Sequence, residues 1–181
     1  MNRKTAMKLF GLLGLLMLLS CGYADRHRNS SSCEQALVDS LEVRVQDSLF
    51  SNVHYSRSQV LDALTQTQDS QVYYRLLALY GKTFFVSSDY DSILYYNRRV
   101  KEFSRNASQS SESLQSPRWN DVLSDVYNIE GNVWMQLNRP DSAIIDYKKA
   151  YGYRLEGKKL HLLPDICINI ADAYLHRSDL A

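Results

Sequence analysis

Apolar residues return every three or four positions through most of this chain, and short polar or breaker-rich stretches separate the runs. That is the pattern of successive amphipathic helices. Leu37, Leu41, Val45 and Leu49, with Val38 as a shoulder, predict a first helix over Glu34 to Phe50. Val60, Leu61 and Leu64 predict a second, from about Ser56 to Thr67. Gln71 to Val86 carries Tyr73, Tyr74, Leu76, Leu77, Leu79, Tyr80, Phe84 and Phe85 on more than one stripe, as expected of a helix packed on both sides. Ser87-Ser88-Asp89 breaks it and caps a helix over Tyr90 to Ser104. Asn106 to Ser116 has almost nothing to bury and reads as a loop. Ser116 before Pro117 combines an N-cap with a proline in the first turn, and so starts a helix to about Leu137. Val122, Val126, Ile129, Val133 and Leu137 share one of its faces. Asn138-Arg139-Pro140 turns the chain into a helix to about Leu155, Gly157 to Leu163 connects, and Pro164 opens a last helix to about His176.

The stretch Tyr127 to Ala150 carries more than periodicity. Gly131 and Trp134 stand three apart on one helix; Ala143, Tyr147 and Ala150 follow a breaker at spacings of four and three. Small residues at Gly131 and Ala143 let two antiparallel backbones approach closely. The order resembles the tetratricopeptide repeat (TPR), W-x2-L-G-x2-Y followed by A-x3-F and a later proline. Tyr127 takes the first aromatic place, Gly131 the glycine, Trp134 the second aromatic, Ala143 the alanine and Tyr147 the phenylalanine. Glu130 departs by placing a charge where leucine is usual, and Leu155 stands where the closing proline would be. Gly81 and Phe84 repeat the Gly131–Trp134 pair 50 residues upstream, and Ala171 and Tyr174 repeat it 40 residues downstream. The resemblance implies an all-α fold: antiparallel helix hairpins stacked as a short right-handed solenoid over 34–181, incomplete at its C-terminus. Ile166, Ile170, Ala173 and Tyr174 are then expected to lose part of their cover, because Ser178 to Ala181 reads as the start of a paired helix.

Residues 1–20 read as an export signal: Arg3, Lys4 and Lys8 precede an apolar run from Leu9 to Leu19 that is shorter than the ~20 residues a membrane span needs. Leu18-Leu19-Ser20-Cys21-Gly22 resembles a bacterial lipobox, which implies cleavage before Cys21 and lipidation of its thiol. Residues 21–33 would then be a lipidated polar tether. Only Asp25 among basic residues follows the cysteine, so the expected attachment faces the periplasm. Of the other cysteines, Cys33 opens the first helix. Cys167 aligns with Tyr127 on the apolar side of the last helix and is expected to be a buried small hydrophobe.

Charge is balanced, with 21 Lys and Arg against 20 Asp and Glu, so no electrostatic case for nucleic acid arises. The chain carries no Gly-rich phosphate loop, no H-E-x-x-H and no G-x-S-x-G elbow. Asp172 and His176 stand four apart, but two ligands do not make a metal site. No enzyme, metal or cofactor is expected. Asp39-Ser40, Asp47-Ser48, Asp91-Ser92 and Asp141-Ser142 resemble the O-glycosylation sequon of exported Bacteroidetes proteins, and equally suit helix starts.

Helical arrays present a groove instead. In the family the first helix of each pair lines it, which implies Asn128, Asn132 and Gln136 from one repeat and Asp165, Asp172 and His176 from the next as contacts to a protein or peptide. The expectation is a non-catalytic binding scaffold on a lipid anchor. The rival is the sensing N-terminal part of a longer protein, since the order of segments resembles TPR-containing histidine kinases and transcriptional regulators of Bacteroidetes.

Overall fold

The computed structural model describes residues 33–109 and 116–179. The export signal, Cys21, the tether up to residue 32, the middle of the Ser-rich insertion and the last two residues lie outside these. The chain divides into two units between Ser40 and Leu41. The described part of the first, 33–40, is the opening of helix α1 (33–48), with Cys33 exposed. The second holds the rest of α1, then α2 (Val53–Gln66), α3 (Ser70–Lys82), α4 (Tyr90–Gln109), α5 (Pro117–Gln136), α6 (Pro140–Leu155), a 3-10 turn (Leu160–Leu162) and α7 (Leu163–Asp179). Among the described residues there is no strand, and no helix is long and apolar enough to cross a membrane.

Local chemistry sets the helix ends. The Asn52 side chain accepts from Tyr55 N (3.2 Å), Asp69 from Gln71 N (2.8 Å) and Val72 N (3.1 Å), and Asp89 from Ser92 N (3.1 Å). Ser116 accepts from Trp119 N (3.1 Å), with Pro117 in the first turn. Each satisfies a backbone donor that the first turn leaves unpaired. Ser88 (φ 54°) and Asn138 (φ 56°) adopt the left-handed conformation that reverses the chain before α4 and α6.

Two boundaries differ from the sequence expectation. Helix α3 stops at Lys82 rather than Val86, because Thr83 turns back on Tyr80 O through both its amide (3.0 Å) and its hydroxyl (2.7 Å). Arg57 then holds the helix end by donating to Thr83 O (3.1 Å), its guanidinium lying 4.0 Å over the Phe84 ring. Helix α4 runs past Ser104 to Gln109, into the stretch expected to be loop. Ala107 packs on the core there, and Ser104 accepts from Trp119 Nε1 (3.0 Å). Along α1 and just past its end the buried stripe is Leu41, Val45 and Leu49; Leu37 is exposed, and Val38 takes the buried place instead.

Consecutive helices pack antiparallel, as their paired contacts show. Between α3 and α4, Tyr74 stacks on Phe103 while Tyr96 closes on Gly81. Between α5 and α6, Ser124 Oγ donates to Ala150 O (2.8 Å) near one end and Trp134 Nε1 to Asp146 (2.8 Å) near the other. One apolar cluster joins Leu77, Val100, Trp119, Val122, Leu123 and Val126; another joins Ala143, Ile144, Tyr147 and Ala173. Gly81 and Gly131 lie in these seams. A Cβ on Gly81 would stand 3.1 Å from Tyr96 Cβ, and one on Gly131 would fall on the Tyr147 ring.

Helix α7 corrects the sequence reading. Ala173, not Ala171, lies in the seam with α6; of the four residues expected to lose part of their cover, Ile166 and Ala173 are buried, whereas Ile170 is half-buried and Tyr174 exposed. Ala171 and Cys167 are exposed, and Tyr174 is a surface ring flanked by Lys148 and Arg177. With Ile168 and Leu175 they form the face that corresponds, 40 residues on, to the side of α5 where Tyr147 of α6 lands on Gly131. No described helix covers that side of α7.

Gly131→Ala is expected to lower stability by about 1–3 kcal/mol, because the buried Tyr147 ring must move despite the gain in helix propensity. Gly152, in α6 and with nothing within 4 Å of where a Cβ would stand, is the control. Gly152→Ala should stabilise by roughly 0.5–1 kcal/mol. Thermal unfolding followed by circular dichroism measures both.

Candidate functional site

The six expected groove residues separate into two groups. Gln136, Asp165, Asp172 and His176 are exposed. Asn128 and Asn132 are engaged inside the fold: Asn128 Oδ1 accepts from Asn169 Nδ2 of α7 (3.0 Å), and Asn132 Oδ1 accepts from Tyr147 OH of α6 (2.7 Å). Asn132 therefore lies on the hairpin side of α5 rather than on an open groove wall. Tyr147 is a buried phenol, which needs a partner for its hydroxyl, and Asn132 supplies it.

A charged seam that the sequence reading did not single out lies beside α3 and α5. It is built from Glu42 of α1, Arg75 and Lys82 of α3, Asp121 and Asp125 of α5, Arg154 at the end of α6, and Lys159 in the connection to α7. Arg154 is 1% exposed and donates through Nη1 to Asp121 Oδ1 (2.8 Å) and through Nη2 to Asp125. Asp121, also buried, accepts in addition from the amides of Lys158 (2.9 Å) and Lys159 (3.1 Å). One carboxylate thus ties α5, the end of α6 and the connection together. Gly157 belongs to the same arrangement: a Cβ there would run into the Asp121 carboxylate.

Pinning the connection places Lys159, whose Nζ donates to Glu42 Oε2 (2.7 Å). The other oxygen of Glu42 accepts from Arg75 Nη2 (3.0 Å), and Arg75 is 4% exposed. Further along both helices, Lys82 Nζ donates to Gln46 Oε1 (2.7 Å). Helices α1 and α3 are therefore parallel neighbours over this stretch. Burial is the largest influence on Lys82 and holds its ammonium below the ordinary lysine value; Asp125 opposes that, and Lys159 adds to it.

A second buried polar set sits between α4 and α5. Glu130, in the place where the TPR pattern has leucine, is 3% exposed and accepts from Lys101 Nζ (2.6 Å). Asn97 is buried beside it and donates to Val126 O (3.2 Å). Burial pushes the Glu130 carboxyl above its ordinary value, with the Lys101 hydrogen bond and charge opposing. Lys101 and Lys149 both lie near the Tyr127 ring (5.2 and 4.9 Å), which stacks on Tyr153. Burial, then the neighbouring phenol and carboxylates, push the Tyr127 hydroxyl up to about 12.

Among the described residues no three of His, Cys, Asp and Glu gather as a metal set. The charged seam can do one thing chemically: hold anionic groups against guanidinium and ammonium donors. Sequence signals for it existed. Asp121 and Asp125 are four apart on α5, and Arg154 is the residue that the hairpin register sets opposite them, as Ala150 is set opposite Ser124. Arg75 stands alone as a charge inside the apolar run from Val72 to Tyr80.

Asp121→Ala strands Arg154 and the two amides, so a loss of about 3–5 kcal/mol is expected. Hydrogen exchange should show Lys158 and Lys159 losing protection ahead of the helices. At Glu130 the folded state holds its proton more tightly than the unfolded chain, so this group's contribution is greatest at acid pH. It is lost as pH rises through the folded value. Relative to the wild type, Glu130→Gln should therefore gain stability as pH rises from about 4 toward neutrality. Urea unfolding across that range checks the sign. Compared with protein-family models, curated proteins and solved structures, the chain matches none.

Proposed function

We propose that this chain is a non-catalytic scaffold that binds a protein or peptide, built of TPR-like hairpins stacked as a short right-handed solenoid. A lipid on Cys21 would hold it facing the periplasm. The observation that supports this most is the polar, side-by-side contact between odd-numbered helices: Glu42 to Arg75 and Gln46 to Lys82 between α1 and α3, and Asn128 to Asn169 between α5 and α7. Hairpins whose first helices line up as neighbours present one continuous polar face, and such a face suits recognition of an extended segment. On it Gln136, Asp165, Asp172 and His176 are free to meet a partner.

A second reading is that the chain is the sensing part of a longer TPR-containing histidine kinase or transcriptional regulator. The open stripe of Cys167, Ile168, Ala171 and Leu175 on α7 favours it, because Leu175 alone is 65% exposed. A further helix seated there would cover it as α6 covers α5.

The test is photo-cross-linking in the native host with a probe at Gln136 or His176, followed by identification of the captured chain. Joint substitution of Gln136, Asp165, Asp172 and His176 by alanine is expected to reduce capture at least tenfold without changing the melting temperature. Undiminished capture by that variant would remove the groove reading. Cys21→Ala should abolish incorporation of labelled palmitate; a membrane-spanning run and an effector domain downstream would favour the second reading.

A further inference from the structure

Helix α7 has two opposite faces. Ile166 and Ala173 are buried, Ala173 against α6, while Pro164, Ile168, Ala171 and Leu175 are exposed on the other side. These four recur at spacings of four, three and four, the seam of a helix that pairs with another helix. Ile168 is 58% exposed and Leu175 65%, with the small Ala171 between them. From Pro164 to Leu175 the seam runs for roughly 17 Å at ~1.5 Å per residue.

The charges beside this seam differ from one flank to the other. Asn169, whose Nδ2 donates to Asn128 Oδ1 of α5 (3.0 Å), marks the α5 side. Asp165 and Asp172 stand four before and three after it, so both exposed carboxylates share that flank, with His176 one turn further on. Tyr174 marks the α6 side, its ring lying 5.3 Å from Lys148 Nζ of α6 and 4.7 Å from Arg177 Cζ. Both cations are exposed, and Arg177 reaches Asp141 at 3.5 Å. The apolar seam is therefore bordered by acid on one side and by base on the other.

We infer that this face of α7 is a self-association surface, on which a second copy of the chain packs its own α7 parallel and in register. A two-fold axis running along the helices sets the acidic flank of each copy against the basic flank of the other. Ile168, Ala171 and Leu175 then each meet their own equivalent. The antiparallel arrangement places acid on acid and base on base, with Asp172 beside Asp172 of the second copy, and like charges oppose it. A helix of other origin needs the reverse order of charges across its seam; a second copy carries that order already. One helix from each copy makes an interface at the small end of specific ones, below ~1,200 Å². The dimer is accordingly weak, with a Kd on the order of micromolar. The inference goes beyond the scaffold reading and shares with it only the residues that border the polar face.

The test is sedimentation equilibrium of the full chain in detergent, over about 1 to 100 µM. The mass should rise from one copy toward two across that range. Leu175→Glu should weaken pairing at least tenfold, and the milder Leu175→Ser serves if the glutamate disturbs the fold. Asp172→Lys and Lys148→Glu should each weaken pairing several-fold, and the two together should restore it, because the swap rebuilds the match of flanks. Orientation is read by oxidising single-cysteine variants in which Cys21, Cys33 and Cys167 are replaced by serine. Ile168→Cys and Leu175→Cys should each cross-link to a dimer on their own. The antiparallel pair sets Ile168 against Leu175, so neither variant would then cross-link alone, which overturns the proposal. A single-copy mass over the whole range, as a covering helix of other origin would give, overturns it too, as does a charge swap that restores nothing. Because the readout is mass and not capture, any of these failures leaves the scaffold reading to be decided by photo-cross-linking.

Discussion

The Asp121 carboxylate is the constraint on which the far half of the described structure depends. Taking an aspartate and an arginine out of water costs several kcal/mol per ion, and the pair survives only when the remaining donors and acceptors are also satisfied. Asp121 meets that condition with three donors: Arg154 Nη1 and the amides of Lys158 and Lys159. Two of these belong to the connection into α7, so the electrostatic requirement of one residue on α5 dictates where the chain turns after α6. The absence of a side chain at Gly157 is what lets the backbone come that close.

Two kinds of seam follow from different physics. Within a hairpin, a small residue meets an aromatic, Gly81 with Tyr96 or Gly131 with Tyr147, and that contact is shape-dependent, with hydrogen bonds such as Trp134 to Asp146 and Arg154 to Asp121 beside it in the α5–α6 pair. Between neighbouring hairpins, apolar contacts such as Leu77 and Val100 with Trp119, Val122 and Val126 are joined by polar ones through Glu42, Arg75, Lys82, Asn128 and Asn169. Dry seams resist a change of shape because a close-packed interior has no room to give. Polar contacts that reach solvent exchange partners at lower cost, since water can replace either member.

Much of the helical order was legible in the sequence. Gly131, Ala143 and Tyr147 encode close approach directly in residue size, and Ser116-Pro117, Asp89 and Asn138 encode starts and stops through backbone chemistry. What failed to be legible depends on tertiary partners. Ala171 copies the small residue of Gly131, but residue size cannot say whether a mate helix is present, and among the described residues none is. Cys167 is exposed for the same reason. Asn128 and Asn132 have the right chemistry for a groove, yet their amides were the nearest partners for Asn169 and for the buried Tyr147 hydroxyl. The charged seam required a register to be known first, since Asp121 and Arg154 meet only after α5 and α6 are aligned.

Glu130 puts a charge into a seam between helices that is otherwise largely apolar. A leucine in that place would add apolar area between α4 and α5; the carboxylate instead draws in Lys101 and sits beside Asn97. A buried ion pair is poor evidence of added stability, because a well-packed apolar pair often does as well or better. What the polar set adds is selectivity of register. If α4 slid by one turn, Lys101 would leave Glu130 unpaired in the interior, and the cost of that stranded charge exceeds what shifted apolar contacts can recover. The position of one hairpin on the next, and with it the alignment of the face formed by α3 and α5, is therefore set by its few buried charges more than by its many apolar side chains.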